Sequence, residues 1–227
     1  MVVPKIHWFG DSWCSGVPNG GVPFVKLTSQ QLGMVCVNHG QSNTNIDDMV
    51  AKFYSVHTKI SPAADIVVFC LTSSYRSTWI DNNNKPTYFT WHKNGELSKL
   101  WNLYFANDYS TSFLTFKNIN FLYYMCQSLN IKCYFVNSFS TLHNVMNEYT
   151  PDSAWLLPKS ECLANKLLTI IAPEIITDDG PQVSRAQWLE HKEKLDNYFI
   201  PNDNHPNSLG NEKIAETLTN LLQLRLQ

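Results

Sequence analysis

The chain has 227 residues with 44% hydrophobic and 13% aromatic content, enough to bury a full core as a single domain. A formal net charge of −2 and a pI near 6.4 give no electrostatic footprint for nucleic acid or an anionic membrane. No amino-terminal apolar run carries a basic flank and cleavage site, and none approaches the roughly 18 residues of a membrane span. A soluble cytoplasmic protein is the expectation.

Pro4 to Phe9 reads as a short buried strand that runs into Gly10-Asp11-Ser12. A loop rich in Gly, Pro and Asn follows from Gly16 to Val22. Phe24 to Leu32 has the spacing of a short helix stopped by Gly33, and Met34 to Val37 is a second strand. After the polar loop Asn38-His39-Gly40-Gln41-Ser42-Asn43, Asn45 can cap a helix with Asp48 as its acidic partner. Ile46, Met49, Val50, Phe53, Val56 and Ile60 follow at helical spacing. Ile66 to Leu71 is a continuous apolar run, the mark of a strand covered on both faces. Strand, helix, strand, helix, strand argues for a parallel sheet with right-handed crossovers.

The rhythm breaks between Thr72 and Asp108, where a turn at Asp81 to Pro86 lies in a dense aromatic set of Trp79, Tyr88, Phe89, Trp91, Trp101, Tyr104, Phe105 and the adjoining Tyr109. This stretch is too long for a plain strand-to-helix loop. It is read as an aromatic-rich insertion at about 74–110 in one domain spanning 1–227, forming either a substrate wall or a satellite core. Ser112 to Leu129 then predicts a helix and Lys132 to Val136 a fourth strand ending in Asn137-Ser138. Thr141 to Pro158 has weak periodicity. Glu161 to Ile171 and Arg185 to Leu195 read as helices, and a last helix carries Leu209, Ile214, Leu218, Leu221 and Leu222 on one face. There are no internal repeats, low-complexity tracts or interdomain linkers.

The six cysteines are scattered singly, with no C-x-x-C and no histidine at metal-ligand spacing. Cys36, Cys70 and Cys133 fall inside strand-like runs, where free thiols behave as small hydrophobes; no metal or cofactor is expected.

Ser12 stands at the carboxyl end of the first strand, where open α/β sheets place their ligands. Ser12, Asp203 and His205 together supply a nucleophile, an orienting carboxylate and a general base. Equally, Asp203 and His205 would simply start the final helix. His39, beside Gly40, either touches substrate or is an exposed loop histidine. Cys14 is read as a packing residue. No phosphate loop or dinucleotide fingerprint is present.

Gly10-Asp11-Ser12-Trp13 with Gly16, Asn38 with Gly40-Gln41-Ser42-Asn43, Leu71-Thr72-Ser73 with Arg76, and His205-Pro206-Asn207 with Gly210 and Ala215 fall in the order of the SGNH (GDSL-like) hydrolases. The sequence resembles that family, and within it a branch common in bacteriophage and bacterial genomes. The resemblance implies a flavodoxin-like three-layer α/β/α sandwich around a central parallel sheet. It also implies a metal-free serine esterase acting on a small-molecule or carbohydrate ester. Ser12 would attack the acyl carbonyl, His205 would carry the proton and Asp203 would hold the imidazole. The oxyanion would sit among the backbone N–H groups of Ser12 and Gly40 and a side-chain donor.

Two positions depart from the pattern. The family's Gly-x-Asn-Asp block is replaced here by Leu71-Thr72-Ser73-Ser74-Tyr75-Arg76, leaving Asn43, Thr72, Ser73 or Arg76 to substitute for its asparagine. Arg76 would bind a substrate carboxylate or pair with a local acid. The family's carboxylate position is Asn202, with Asp203 one residue later, so Asp203 reaches the ring or a Ser-His dyad works alone. The functions left open are an ester hydrolase, an acyltransferase at the same site, and a catalytically degenerate binding module, virion-associated if phage-encoded.

Overall fold

The computed structural model describes residues 3–16, 21–72, 77–80, 86–89, 108–138, 150–173, 189–201 and 205–227, with the backbone alone at 77–80, 86–89 and 108–112. Its strands are β1 (Lys5–Phe9), β2 (Val35–Asn38), β3 (Ile66–Leu71), β4 (Ser77–Ile80), β5 (Pro86–Phe89) and β6 (Lys132–Asn137). The helices are α1 (Ser12–Ser15), α2 (Phe24–Gln31), α3 (Ile46–Val56), α4 (Asp108–Ser128), α5 (Leu163–Ile171), α6 (Lys192–Asp196) and α7 (Ser208–Leu226).

Four strands form a parallel sheet in the order β2-β1-β3-β6. All six residues of β3 are buried, because β1 and β6 flank it and helices cover both faces. β2 is an edge strand and is only partly covered. Beyond β6, a single parallel bridge joins Phe135 to Trp155, and Leu156 N–H donates to Phe135 C=O at 2.9 Å. This bridge stands where a flavodoxin-like order has its fifth strand.

The period-2 alternation of the strands sorts the core into two layers. Ile6, Trp8, Val68, Cys70 and Val136 face one way, against α2, α5 and α7. Phe9, Val67, Phe69, Leu71 and Phe135 face the other, against α3 and α4. Phe69 sits at the centre of the second layer, 5.2 Å from both Phe9 and Phe135 and 5.5 Å from Phe53. Truncating such a residue to alanine costs about 3–5 kcal/mol.

The expected helix starts and stops have physical causes in the structure. Asn45 and Asp48 form the reciprocal capping box: Asn45 Oδ1 accepts from Asp48 N–H at 2.9 Å, and Asp48 Oδ2 from Asn45 N–H at 3.1 Å. α2 ends before Gly33, whose φ of 67° lies in the left-handed region. α4 begins at Asp108, earlier than its apolar spacing predicts. Within the segment read as a helix from Arg185, the described residues give helical backbone at 189–190 and the short α6, while 185–188 lie outside them. Part of the aromatic insertion is a two-stranded antiparallel hairpin, β4 with β5, while 90–107 lie outside the described residues. Among the described residues, no helix is long and apolar enough to cross a membrane. All six cysteines are free, and five of them are buried.

Candidate active site

β1 delivers the chain to the carboxyl edge of the sheet, and α1 begins at once. Asp11 is its N-cap and is fully buried; Oδ1 accepts from Trp13 N–H at 3.0 Å, and Oδ2 accepts from the Thr72 hydroxyl at 2.9 Å. One carboxylate thus ties the turn after β1 to the end of β3. α1 closes at Gly16, with φ 78°, whose N–H donates to Ser12 C=O at 3.1 Å. This local frame holds Ser12 half-buried at the first position of the helix.

His205 approaches from the far end of the chain. Its Nε2 lies 2.7 Å from Ser12 Oγ, within the range of an activated hydroxyl–imidazole pair. The loop bearing it folds back on itself: Ile200 N–H donates to His205 C=O at 2.9 Å, and Phe199 bridges Pro206 antiparallel. Two asparagines secure that loop. Asn207 caps α7 through Gly210 N–H at 3.1 Å and donates from Nδ2 to Asn197 C=O at 2.9 Å. Asn211, 1% exposed, donates to Pro206 C=O at 3.2 Å and Asn207 C=O at 2.9 Å. Its Oδ1 accepts from Phe24 N–H at 3.1 Å, joining α7 to the start of α2. Phe199 also meets Trp13, with ring centroids 6.4 Å apart, so the two halves of the site touch through aromatic rings as well.

The other expected site residues are placed as follows. Gly40 follows β2 and packs against α1, where a Cβ would stand 2.7 Å from Cys14 Cβ and 2.8 Å from Ser15 N. Its N–H donates to Asn38 Oδ1 at 2.8 Å, while Asn38 Nδ2 donates to Cys14 C=O at 2.8 Å. Asn38 therefore clamps the loop to α1 and occupies the Gly40 donor. Asn43 is exposed, with φ 63°, and sits before the helix cap and not within it. The Thr72 hydroxyl is committed to Asp11. Asp203, Ser73 and Arg76 lie outside the described residues.

His39 is neither an exposed loop histidine nor an isolated one. It is half-buried, 4.5 Å from the Phe9 ring, and its Nε2 is 3.2 Å from His7 Nδ1. Burial, then the charges of His7 and Lys52, lower its pKa to about 4, so its imidazole is neutral at pH 7. Cys14 is fully buried, and burial followed by the neighbouring Cys70 pushes its thiol well up, which fits a packing role. No cluster of three or more metal-ligating side chains occurs among the described residues.

Sequence reasoning missed the roles of Asn207, Asn211, Asn38 and His7. Asn207 three residues before Gly210 carries an N-cap signal. Asn211 shares the buried face of α7 with Ile214, Ala215 and Leu218, and a polar residue on an apolar stripe is itself a marker.

No family model and no curated protein matches the sequence. Solved structures do. A lipolytic protein of the G-D-S-L family from Desulfitobacterium hafniense superposes with a TM-score of 0.50 at 11% identity, over 96% of this chain and 98% of its own. The chain has the SGNH hydrolase fold. A GDSL-like lipase from Parabacteroides merdae is also similar, with a TM-score of 0.48 at 14% identity over 98% of both chains. So is an acetylxylan esterase from Geobacillus stearothermophilus, with a TM-score of 0.40 at 13% identity over 98% of this chain and 93% of its own. Within the SGNH fold, Ser12 stands at the carboxyl end of β1 and His205 just before α7.

Proposed function

We propose that the chain is a serine esterase of SGNH type that hydrolyses a carboxylic ester through an acyl-enzyme on Ser12. The observation that carries this reading is the 2.7 Å approach of His205 Nε2 to Ser12 Oγ, made by residues from opposite ends of the chain. His205 takes the Ser12 proton as Oγ attacks the acyl carbonyl. Negative charge then develops on the carbonyl oxygen beside the Ser12 N–H, a first-turn donor that a helix leaves without an intrahelical partner. Collapse of the tetrahedral species breaks the ester C–O bond, and His205 gives its proton to the departing alcohol. Water then attacks the acyl-enzyme with His205 as base, releasing the carboxylic acid and restoring Ser12.

Asp203 is the proposed partner that orients the imidazole. Gly40 N–H is the second proposed oxyanion donor, as the family resemblance implies; in the structure it donates to Asn38 Oδ1. Asn43 and Arg76 are the side chains we assign to substrate. Thr72 acts through Asp11, whose position fixes the turn carrying Ser12. A short acyl group on a carbohydrate is the proposed substrate class, supported by the aromatic-rich sequence of the insertion.

Intact-mass labelling with a fluorophosphonate probe tests the reading without a known substrate. One adduct per chain on wild type, absent from Ser12→Ala and His205→Ala, is the expected result. An ester panel then compares acetylated oligosaccharides with longer acyl esters, and an added sugar acceptor separates hydrolysis from acyl transfer. A folded wild type that takes no probe would overturn the esterase in favour of a binding module.

A further inference from the structure

The second layer of the core contains a polar array that the mechanism above leaves unused. Asp65, just before β3, is 3% exposed, and His7 on β1 is 4% exposed. Asp65 Oδ1 accepts from Lys5 N–H at 3.1 Å, and Oδ2 accepts from Ser61 N–H at 2.9 Å. His7 Nε2 reaches the same Oδ2 at 3.4 Å, and His7 Nδ1 lies 3.2 Å from His39 Nε2. The His7 and His39 rings are within 14° of parallel, and their N···N approach makes them an edge-to-edge hydrogen-bonded pair.

Strand register explains why the three meet. His7 pairs with Val37 on β2 and with Val67 on β3. Asp65 stands two residues before Val67 and His39 two after Val37, so all three side chains emerge on one face of the sheet. The array therefore crosses three adjacent strands, from the amino end of β3 to the loop after β2.

Proton placement along it follows from donor and acceptor capacity. A carboxylate that already receives two backbone N–H groups acts as an acceptor, so His7 presents Nε2–H to it. Burial lowers the His7 pKa and favours the neutral ring, whose Nδ1 is then a lone pair. His39 must supply the proton of the 3.2 Å contact, so it too is the Nε2–H tautomer.

We propose that Asp65 sets the tautomers of both His7 and His39, and that the array pins the His39–Gly40 turn against α1, making His39 a positioning residue for Ser12 chemistry. The kinetic half of this inference rests on the esterase reading; the tautomer half does not. Gly40 is packed against Cys14 and Ser15 of α1, so a shift of the turn is felt at the helix that presents Ser12.

Long-range nitrogen–proton NMR on chain labelled with nitrogen-15 histidine reads the tautomers directly. Wild type is expected to show Nε2–H at both His7 and His39 near pH 7. Asp65→Ala does not touch His39, yet it is expected to move His39 toward a mixture of tautomers. His7→Phe is expected to do the same and serves if Asp65→Ala does not fold. In the kinetic arm, His39→Phe keeps a ring against Phe9 but removes the donor, and should slow fluorophosphonate labelling of Ser12 by roughly ten- to a hundredfold. His39→Gln restores an N–H donor toward His7 and should recover most of that rate. Nδ1–H at His39 in wild type, or a His39 tautomer unchanged in both Asp65→Ala and His7→Phe, would overturn the tautomer half. A His39→Phe variant that labels at the wild-type rate would overturn the positioning role. If wild type takes no probe, the esterase reading and with it the kinetic role fall, while the tautomers still decide the array.

Discussion

Ser12 and His205 lie within hydrogen-bond reach of each other, yet the protein holds them by different means. The serine turn is fixed mainly by its own neighbours: the Asp11 cap, the Ser15 N–H to Asp11 C=O bond at 3.0 Å, and the Gly16 closure. The histidine loop is fixed by asparagine side chains that gather backbone groups from α2, α6 and the loop itself. A residue at a strand end inherits rigidity from the sheet, whereas one on a loop needs a polar network to supply it.

The largest expected effects treat the two halves as one unit. Ser12→Ala and His205→Ala should each lower ester turnover by about 10⁴-fold or more, and a double variant should lose little further. Steady-state hydrolysis of an activated ester measures this, and clearly additive losses would separate the pair. Next, Asn211→Ala removes a buried amide and strips partners from its network, and should cost roughly 2–4 kcal/mol of stability, read by urea unfolding. The surviving folded protein should also label more slowly at Ser12, since the loop behind His205 is loosened. Asp11→Ala removes a helix cap and the acceptor of the Thr72 hydroxyl, costing about 2 kcal/mol on the serine side. If Asp11→Ala proved the more damaging of the two, the contrast between a local and a networked half would reverse.

The last effect is a pH dependence, confined to a narrow window. His39 has a pKa of about 4 in the fold against an ordinary 6.5, because burial disfavours its charged form. The unfolded chain binds the proton more readily, so stability falls as pH drops from about 6.5 toward 4 and is unaffected by this group above that window. Comparing wild type with His39→Phe across the window by thermal melting should show a shallower loss in the variant.

These contrasts also explain what the sequence made legible. β3 could be read because a central parallel strand must be apolar throughout, and the α3 start because Asn45 and Asp48 carry both halves of a capping box. Ser12 was visible as a serine at a strand end. His205 could be named as a candidate base from residue type alone, but its 193-residue separation from Ser12 leaves no local spacing to read, and the family resemblance was needed to favour it over a plain helix start. Asn211 was hidden for the same reason: its Phe24 partner is 187 residues away. The exposed-loop reading of His39 fails because the strand register that places it beside His7 is a property of paired strands and not of the loop sequence.

The 193-residue span between Ser12 and His205 also bears on how the protein is made. Closing so long a loop carries an entropic cost that the intervening sheet offsets once formed, so the pairing is expected to be a late event in folding. On a translating ribosome, β1 and α1 emerge early, but under the proposed mechanism the hydroxyl of Ser12 meets its base, His205, only once the stretch beyond residue 200 is synthesised and packed. If Ser12 labels as proposed, a partly made or carboxyl-truncated chain is expected to carry an inert serine, and a pulse-chase experiment with the probe would time the completion of the fold.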